Sequence, residues 1–255
     1  MAIRAAPSAS VFGSGPVRFA HYAYPPNRLG LCGPADAPAL LDGAAAGAEG
    51  ELRALALGFE GAYPYLRLIA AENDIPDPLD ARVVESYWLG GPLSDHVASR
   101  SLHRDLRNRF RGRMPVREWR WLESALAGGS RPMHAFHVLE IFPRVGLMRG
   151  GAAEPMLATM DACRISWGRV TGVDVDRVLV EVPRLEIAAG HLALGPARAE
   201  AAVAWHGPGG LLDGVTAGDW VSLHWGWACE RLSARQVARL AASTEAALAT
   251  ANVAS

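Results

Sequence analysis

Three cysteines, Cys32, Cys163 and Cys229, are the softest donors in the chain. They form neither a Cys-x-x-Cys pair nor an even disulfide framework, so each is expected to remain a thiol, and a thiolate is a soft donor that suits low-spin iron. Cys163 heads a β-rich stretch. Cys32 stands in Leu31-Cys32-Gly33-Pro34, a turn-forming segment of the kind that carries function. Cys229 lies just before a helical tail, where packing alone accounts for a cysteine. His134, His137 and Glu140 recur at intervals of three. On a helix they share one flank and could ligate zinc or iron or hold a haem; on a strand the two histidines point apart and the idea fails.

His224 closes the run Gly218-Asp-Trp-Val-Ser-Leu-His224. Period-two alternation puts Trp220, Ser222 and His224 on one face and Val221, Leu223 and Trp225 on the other. Beside a metal-bearing cysteine such a histidine supports the site, bonding to the sulfur or taking up a proton. Arg104, Arg107 and Arg111 belong to a basic run that reads as a solvated helix face or as a dock for an acidic partner.

The totals narrow the choice of chemistry. All 25 basic residues are arginine, which removes a catalytic lysine, a Schiff base and a complete Walker A sequence. A net charge of −1 argues against general affinity for nucleic acid. With half the residues hydrophobic a sizeable core is expected. The chain shows no secretion signal and no apolar run of membrane-spanning length, so a cytoplasmic location is expected.

The elements that must position these residues divide near Gly146–Glu154, where the composition turns to glycine and alanine. Residues 1–17 read as disordered, 18–150 as a mainly helical domain, and 155–255 as a β-barrel with a terminal helix. Adjacent Pro25 and Pro26 argue for an extended segment over 18–34. Helical spacing covers 51–73 with a break or kink at Pro64. A helix is signalled from Asp77–Asp80 towards Trp88, and further helices over 93–110 and 116–127. Beyond Cys163 the β-branched residues from Val170 to Val182, with turns at Asp174–Asp176, Ala189-Gly190 and Gly207–Gly210, predict short antiparallel strands. Ser233 caps a last helix with Val237, Leu240, Ala241, Thr244 and Leu248 on one face. The expected fold class is α+β, with a small OB-like antiparallel barrel.

Cys163, Gly168-x-Val170, a set of short strands, Gly218-Asp219-x-Val221-x-x-His224 and then a helix resemble, over the last third of the chain, the hydrogenase-maturation chaperones of the HypC/HupF type. In that family the cysteine sits next to the initiator methionine, and proline usually stands where this chain has Trp167. The resemblance implies that Cys163 is a ligand for iron carrying cyanide and carbon monoxide, and that His224 supports it. The partners it implies are a [NiFe]-hydrogenase large-subunit precursor or other maturation proteins. In the known system a second cysteine, followed by glycine, comes from a separate scaffold protein; Cys32-Gly33 could supply that thiolate from within this chain. Two alternatives stand beside this metallochaperone reading. One is an enzyme built on the helical half, for example supplying a diatomic ligand, with the barrel as a docking module. The other is a plain haem- or metal-binding protein using His134 and His137.

Overall fold

The computed structural model describes residues 14–144, 153–204, 212 and 214–252. Helices α1 (Gly15–Asn27), α2 (Ala37–Ala46), α3 (Glu49–Ala56), α4 (Tyr63–Glu72), α5 (Ala81–Leu89), α6 (Pro92–His96), α7 (Ser99–Phe110) and α8 (Val116–Ala127) come first. A short α9 (His134–Phe136) runs into a π-helical turn at His137–Ile141, and α10 (Ala153–Cys163) leads into the strands. Five strands, β1 (Ser166–Val173), β2 (Arg177–Ala188), β3 (His191–Ala204), β4 (Trp220–His224) and β5 (Trp227–Leu232), precede α11 (Ala234–Asn252). The fold is therefore α+β, with helices first and a sheet closed in the order β1-β2-β3-β5-β4. All neighbouring strands are antiparallel except β3 and β5, which pair in parallel through Val203–Trp227 and Ala204–Ala228. That is the closure an OB-like barrel uses.

Local chemistry explains much of this. The Asp80 carboxylate accepts from the Arg82 amide and starts α5. Ser233 and Gln236 exchange bonds between side chain and backbone, a capping box that opens α11. Ala189 and Gly190, at φ 50° and 82°, form the tight turn between β2 and β3. At Gly168 a Cβ would lie 2.9 Å from the Glu181 carbonyl oxygen, so the close approach of β1 to β2 requires glycine there.

Several expectations need correction. Residues 15–27 are helical, not extended: Pro25 and Pro26 occupy the last turn of α1, which is held by tertiary bonds from Arg18 and Tyr22. The disordered opening expected to Val17 lies mostly outside the described residues, but Ser14 caps α1 and residues 15–17 form its first turn. The interruption expected at Pro64 is a break and not a kink. The proline sits in the first turn of α4, where its missing N–H costs nothing, and residues 57–62 separate α3 from α4. The single helix expected over 93–110 is two, divided at Val97 and Ala98. Cys163 ends a helix instead of opening a strand. The expected boundary lies largely, and the Gly207–Gly210 turn wholly, outside the described residues.

Among the described residues, two apolar clusters hold the fold. One fills the barrel with Val170, Val178, Val180, Val182, Val221 and Leu223. The larger joins helical residues such as Phe19, Tyr65, Trp88 and Phe136 to Ile165, Trp167 and Leu185 of the strand region and to Leu240 and Leu248 of α11. The α1 helix lies over β4 and β5. There Arg18 makes a two-pronged contact with Glu230, at 3.0 Å from Nε and 2.6 Å from Nη2, and the Tyr22 hydroxyl donates to Glu230 at 2.8 Å.

Candidate metal centre

At the seam between helices and barrel, one ligand atom from each of His134, Cys163 and His224 falls within 4.8 Å of the other two. A tetrahedral metal with bonds of roughly 2.0–2.3 Å would hold such atoms about 3.5 Å apart. The group is thus within about 1 Å of closing on an ion.

Each side chain is placed by its element. Cys163 ends α10, whose Asp161 carboxylate accepts from the Leu185 amide at 2.8 Å and pairs with Arg164 and Arg184, tying the helix end to β2. The Trp225 amide, in the β4–β5 turn, donates to the Ala162 carbonyl at 2.9 Å and brings that turn to the cysteine. His224 ends β4 on the face away from the barrel interior, which Val221 and Leu223 fill. Its Nδ1 lies 2.7 Å from the Tyr22 carbonyl. His134 begins α9, with Nε2 donating to the Cys163 carbonyl at 2.8 Å and Nδ1 accepting from the Tyr87 hydroxyl at 3.2 Å. The walls are aromatic: Trp88 lies 4.7 Å from the His134 ring and 5.9 Å from the His224 ring, centre to centre, and the two histidine rings are 5.1 Å apart.

This enclosure sets the protonation states. Burial pushes His224 down to about 3; the neighbouring His134 adds to the effect, and the Tyr22 and Cys163 carbonyls partly oppose it. His134 falls to about 4 through burial, against the Cys163 carbonyl. The Cys163 thiol is pushed up to about 12 by burial, opposed by the Trp225 indole and reinforced by Cys32. At neutral pH the centre therefore holds two neutral imidazoles and a thiol, and a metal ion would have to displace the thiol proton. Two buried polar atoms suit that event. Neither His224 Nε2 nor the Trp225 indole N–H completes a well-formed hydrogen bond among the described residues, although the indole lies close enough to the Cys163 sulfur, and His224 to the Cys163 carbonyl, to shift their protonation. A lone pair without a donor suits a cation, and an indole N–H already turned towards the Cys163 sulfur suits the thiolate bound to it.

The remaining candidates sit elsewhere. His137 is not in the group: the segment is helical, but its Nδ1 faces the Tyr65 hydroxyl at 3.3 Å, and burial lowers its pKa to about 3. Glu140 accepts from Ser130 and Thr250, each at 2.7 Å, and burial raises it to about 7. Cys32 is also outside the group. Its loop is fixed by the Asn27 amide, which donates to the Cys32 and Pro34 carbonyls. The residue as a whole is exposed, yet its thiol is shielded enough that burial lifts it to about 12, and its charge would act on Cys163 and Tyr87. Cys229 is buried in the larger core, as its packing role requires. Arg104, Arg107 and Arg111 are exposed at or just beyond α7, with Arg107 stacked over Trp119.

The sequence drew attention to Cys163, His134 and His224 separately but not to their meeting, and not to Tyr22, Tyr87 or Trp225. Among those three only Tyr22 carries a readable signal, the proline four residues after it. No curated protein and no solved structure matches the chain. A family model described as a family of unknown function, DUF6390, matches residues 11–255, and the chain belongs to that family.

Proposed function

We propose that this chain is a metal-handling accessory protein that takes up a soft transition-metal fragment on Cys163 and His224, with His134 joining as a third ligand only by giving up its bond to Tyr87 or to the Cys163 carbonyl. The observation that carries the reading is the meeting of His224 with Cys163 and His134, one ligand atom of each within 4.8 Å of the others, where the buried Nε2 of His224 completes no hydrogen bond among the described residues. The resemblance of Cys163, Gly168-x-Val170 and Gly218-Asp219…His224 to the hydrogenase-maturation chaperones names the cargo as an iron fragment bearing cyanide and carbon monoxide. Strong-field ligands keep such iron low-spin, and low-spin iron favours thiolate. The recipient is then a [NiFe]-hydrogenase large-subunit precursor or a companion maturation protein, with Arg104, Arg107 and Arg111 available to an acidic surface. Cys32, near enough to influence Cys163, is the second thiolate for transfer.

The test is iron content and infrared spectroscopy of protein purified without oxygen from cells that assemble the hydrogenase. Stoichiometric iron with cyanide and carbonyl bands supports the reading, and their loss in Cys163→Ser ties them to the site. Absence of both in the wild type rejects this cargo. Zinc is the second reading, favoured by the donor set itself, two imidazoles and one thiolate; it would appear as stoichiometric zinc with no such bands.

A further inference from the structure

Pro25 and Pro26 lie inside α1. Proline has no backbone N–H, so Pro26 leaves the carbonyl four residues earlier, that of Tyr22, without its helical donor. A buried carbonyl in this position needs another partner. His224 is that partner, with Nδ1 2.7 Å away. A carbonyl only accepts, so Nδ1 carries the hydrogen. In the neutral ring Nε2 then carries the lone pair, and it completes no hydrogen bond among the described residues. Tyr22 is not free to drift: its hydroxyl is 2.8 Å from Ser222 Oγ and donates to Glu230 at 2.8 Å. Ser222 sits two residues before His224, so Tyr22 grips β4 through both its hydroxyl and its carbonyl.

We infer that Pro26 is a positioning residue of the metal centre: by withholding an N–H from the Tyr22 carbonyl, it dedicates that carbonyl to His224 Nδ1 and presets Nε2 as the donor to a metal ion. With a non-proline residue at 26, a backbone N–H would compete for the same carbonyl, and the ring would lose its fixed tautomer and orientation. The consequence for metal binding rests on the reading under "Proposed function", whereas the tautomer itself is a property of the metal-free protein.

The two parts are therefore measured separately. Long-range nitrogen-15 NMR of the metal-free wild type, with the His224 signals assigned by their loss in His224→Gln, should show His224 in the Nδ1–H form. Pro26→Ala should give a mixture of tautomers and bind cobalt(II), used alone as the probe, about ten-fold more weakly. Pro25→Ala, which removes the proline that spares the His21 carbonyl, should change neither. An Nε2–H form in the wild type, or a Pro26→Ala protein with unchanged tautomer and affinity, would overturn the inference. If the tautomer shifts as expected but the wild type binds no cobalt(II), the lock stands and the metal reading falls.

Discussion

His134 Nε2 donates to the backbone carbonyl of Cys163 at 2.8 Å, so the third ring of the centre is held by the very residue whose thiol it would join. The carbonyl belongs to the last residue of α10 and has no helical donor of its own. One bond thus caps a helix and fixes a ligand. With Tyr87 on its other nitrogen, His134 is fully occupied, whereas His224 keeps a lone pair to spare.

From that asymmetry, loss of His224 should be the costlier. His224→Ala is expected to weaken cobalt(II) binding by about 100-fold and His134→Ala by about 10-fold, following the usual scale for ligand and near-ligand changes. Spectroscopic titration of both variants checks this. Equal effects, or a larger one at His134, would refute the ordering.

Cys163→Ser should abolish binding with little loss of stability, because the hydroxyl is nearly the same size but is hard and stays protonated. Cys229→Ala should cost on the order of 1 kcal/mol and leave binding intact. Chemical denaturation alongside metal titration separates the two. Full binding by Cys163→Ser would remove sulfur from the account.

Much of the frame was legible because short-range chemistry wrote it. Asp80 signals the start of α5, Ser233 the start of α11, and Ala189-Gly190 a hairpin turn; the structure places each where its residue type demands. The α1 helix was not legible. Two adjacent prolines outweigh any local helical signal, and what holds the helix is Arg18 and Tyr22 reaching Glu230, over 200 residues away in sequence. The centre was legible only in pieces. His134, Cys163 and His224 are brought together by Asp161 anchoring α10 to β2 and by Trp225 binding the end of α10, contacts that no spacing rule encodes.

The contact between Arg18 and Glu230 is nearly inaccessible to solvent, with side chains 1% and 2% exposed. Arg18→Met should therefore cost about 3–5 kcal/mol, because it strands the glutamate in the seam. Adding Glu230→Met should recover a substantial part. Urea denaturation of the single and double variants is the measurement; additive losses would mean the ion pair is not the unit that matters.

Glu140 makes stability depend on pH in a definite sense. Its carboxyl ionises near 4.5 ordinarily and near 7 when folded, because burial outweighs the donors Ser130 and Thr250. Between those values the folded state keeps a proton that the unfolded chain has released, so this residue's contribution to stability falls as pH rises from about 4.5 to about 7 and then levels off. The lowered pKa values of His134, His137 and His224 act in the opposite sense over the range below 6.5. Comparing Glu140→Gln with the wild type cancels them. The variant should gain on the wild type by up to about 3 kcal/mol between pH 4.5 and pH 8. Stability curves that run parallel would contradict the assignment.

The central claim is that Cys163 and His224 hold a metal together. X-ray absorption at the metal edge of the loaded protein tests it most directly. The account predicts one sulfur at roughly 2.3 Å and at least one imidazole nitrogen at about 2.0–2.1 Å, with no metal retained by Cys163→Ser and the imidazole signal reduced in His224→Ala. A metal bound through oxygen and nitrogen alone, with a spectrum indifferent to both substitutions, would contradict it.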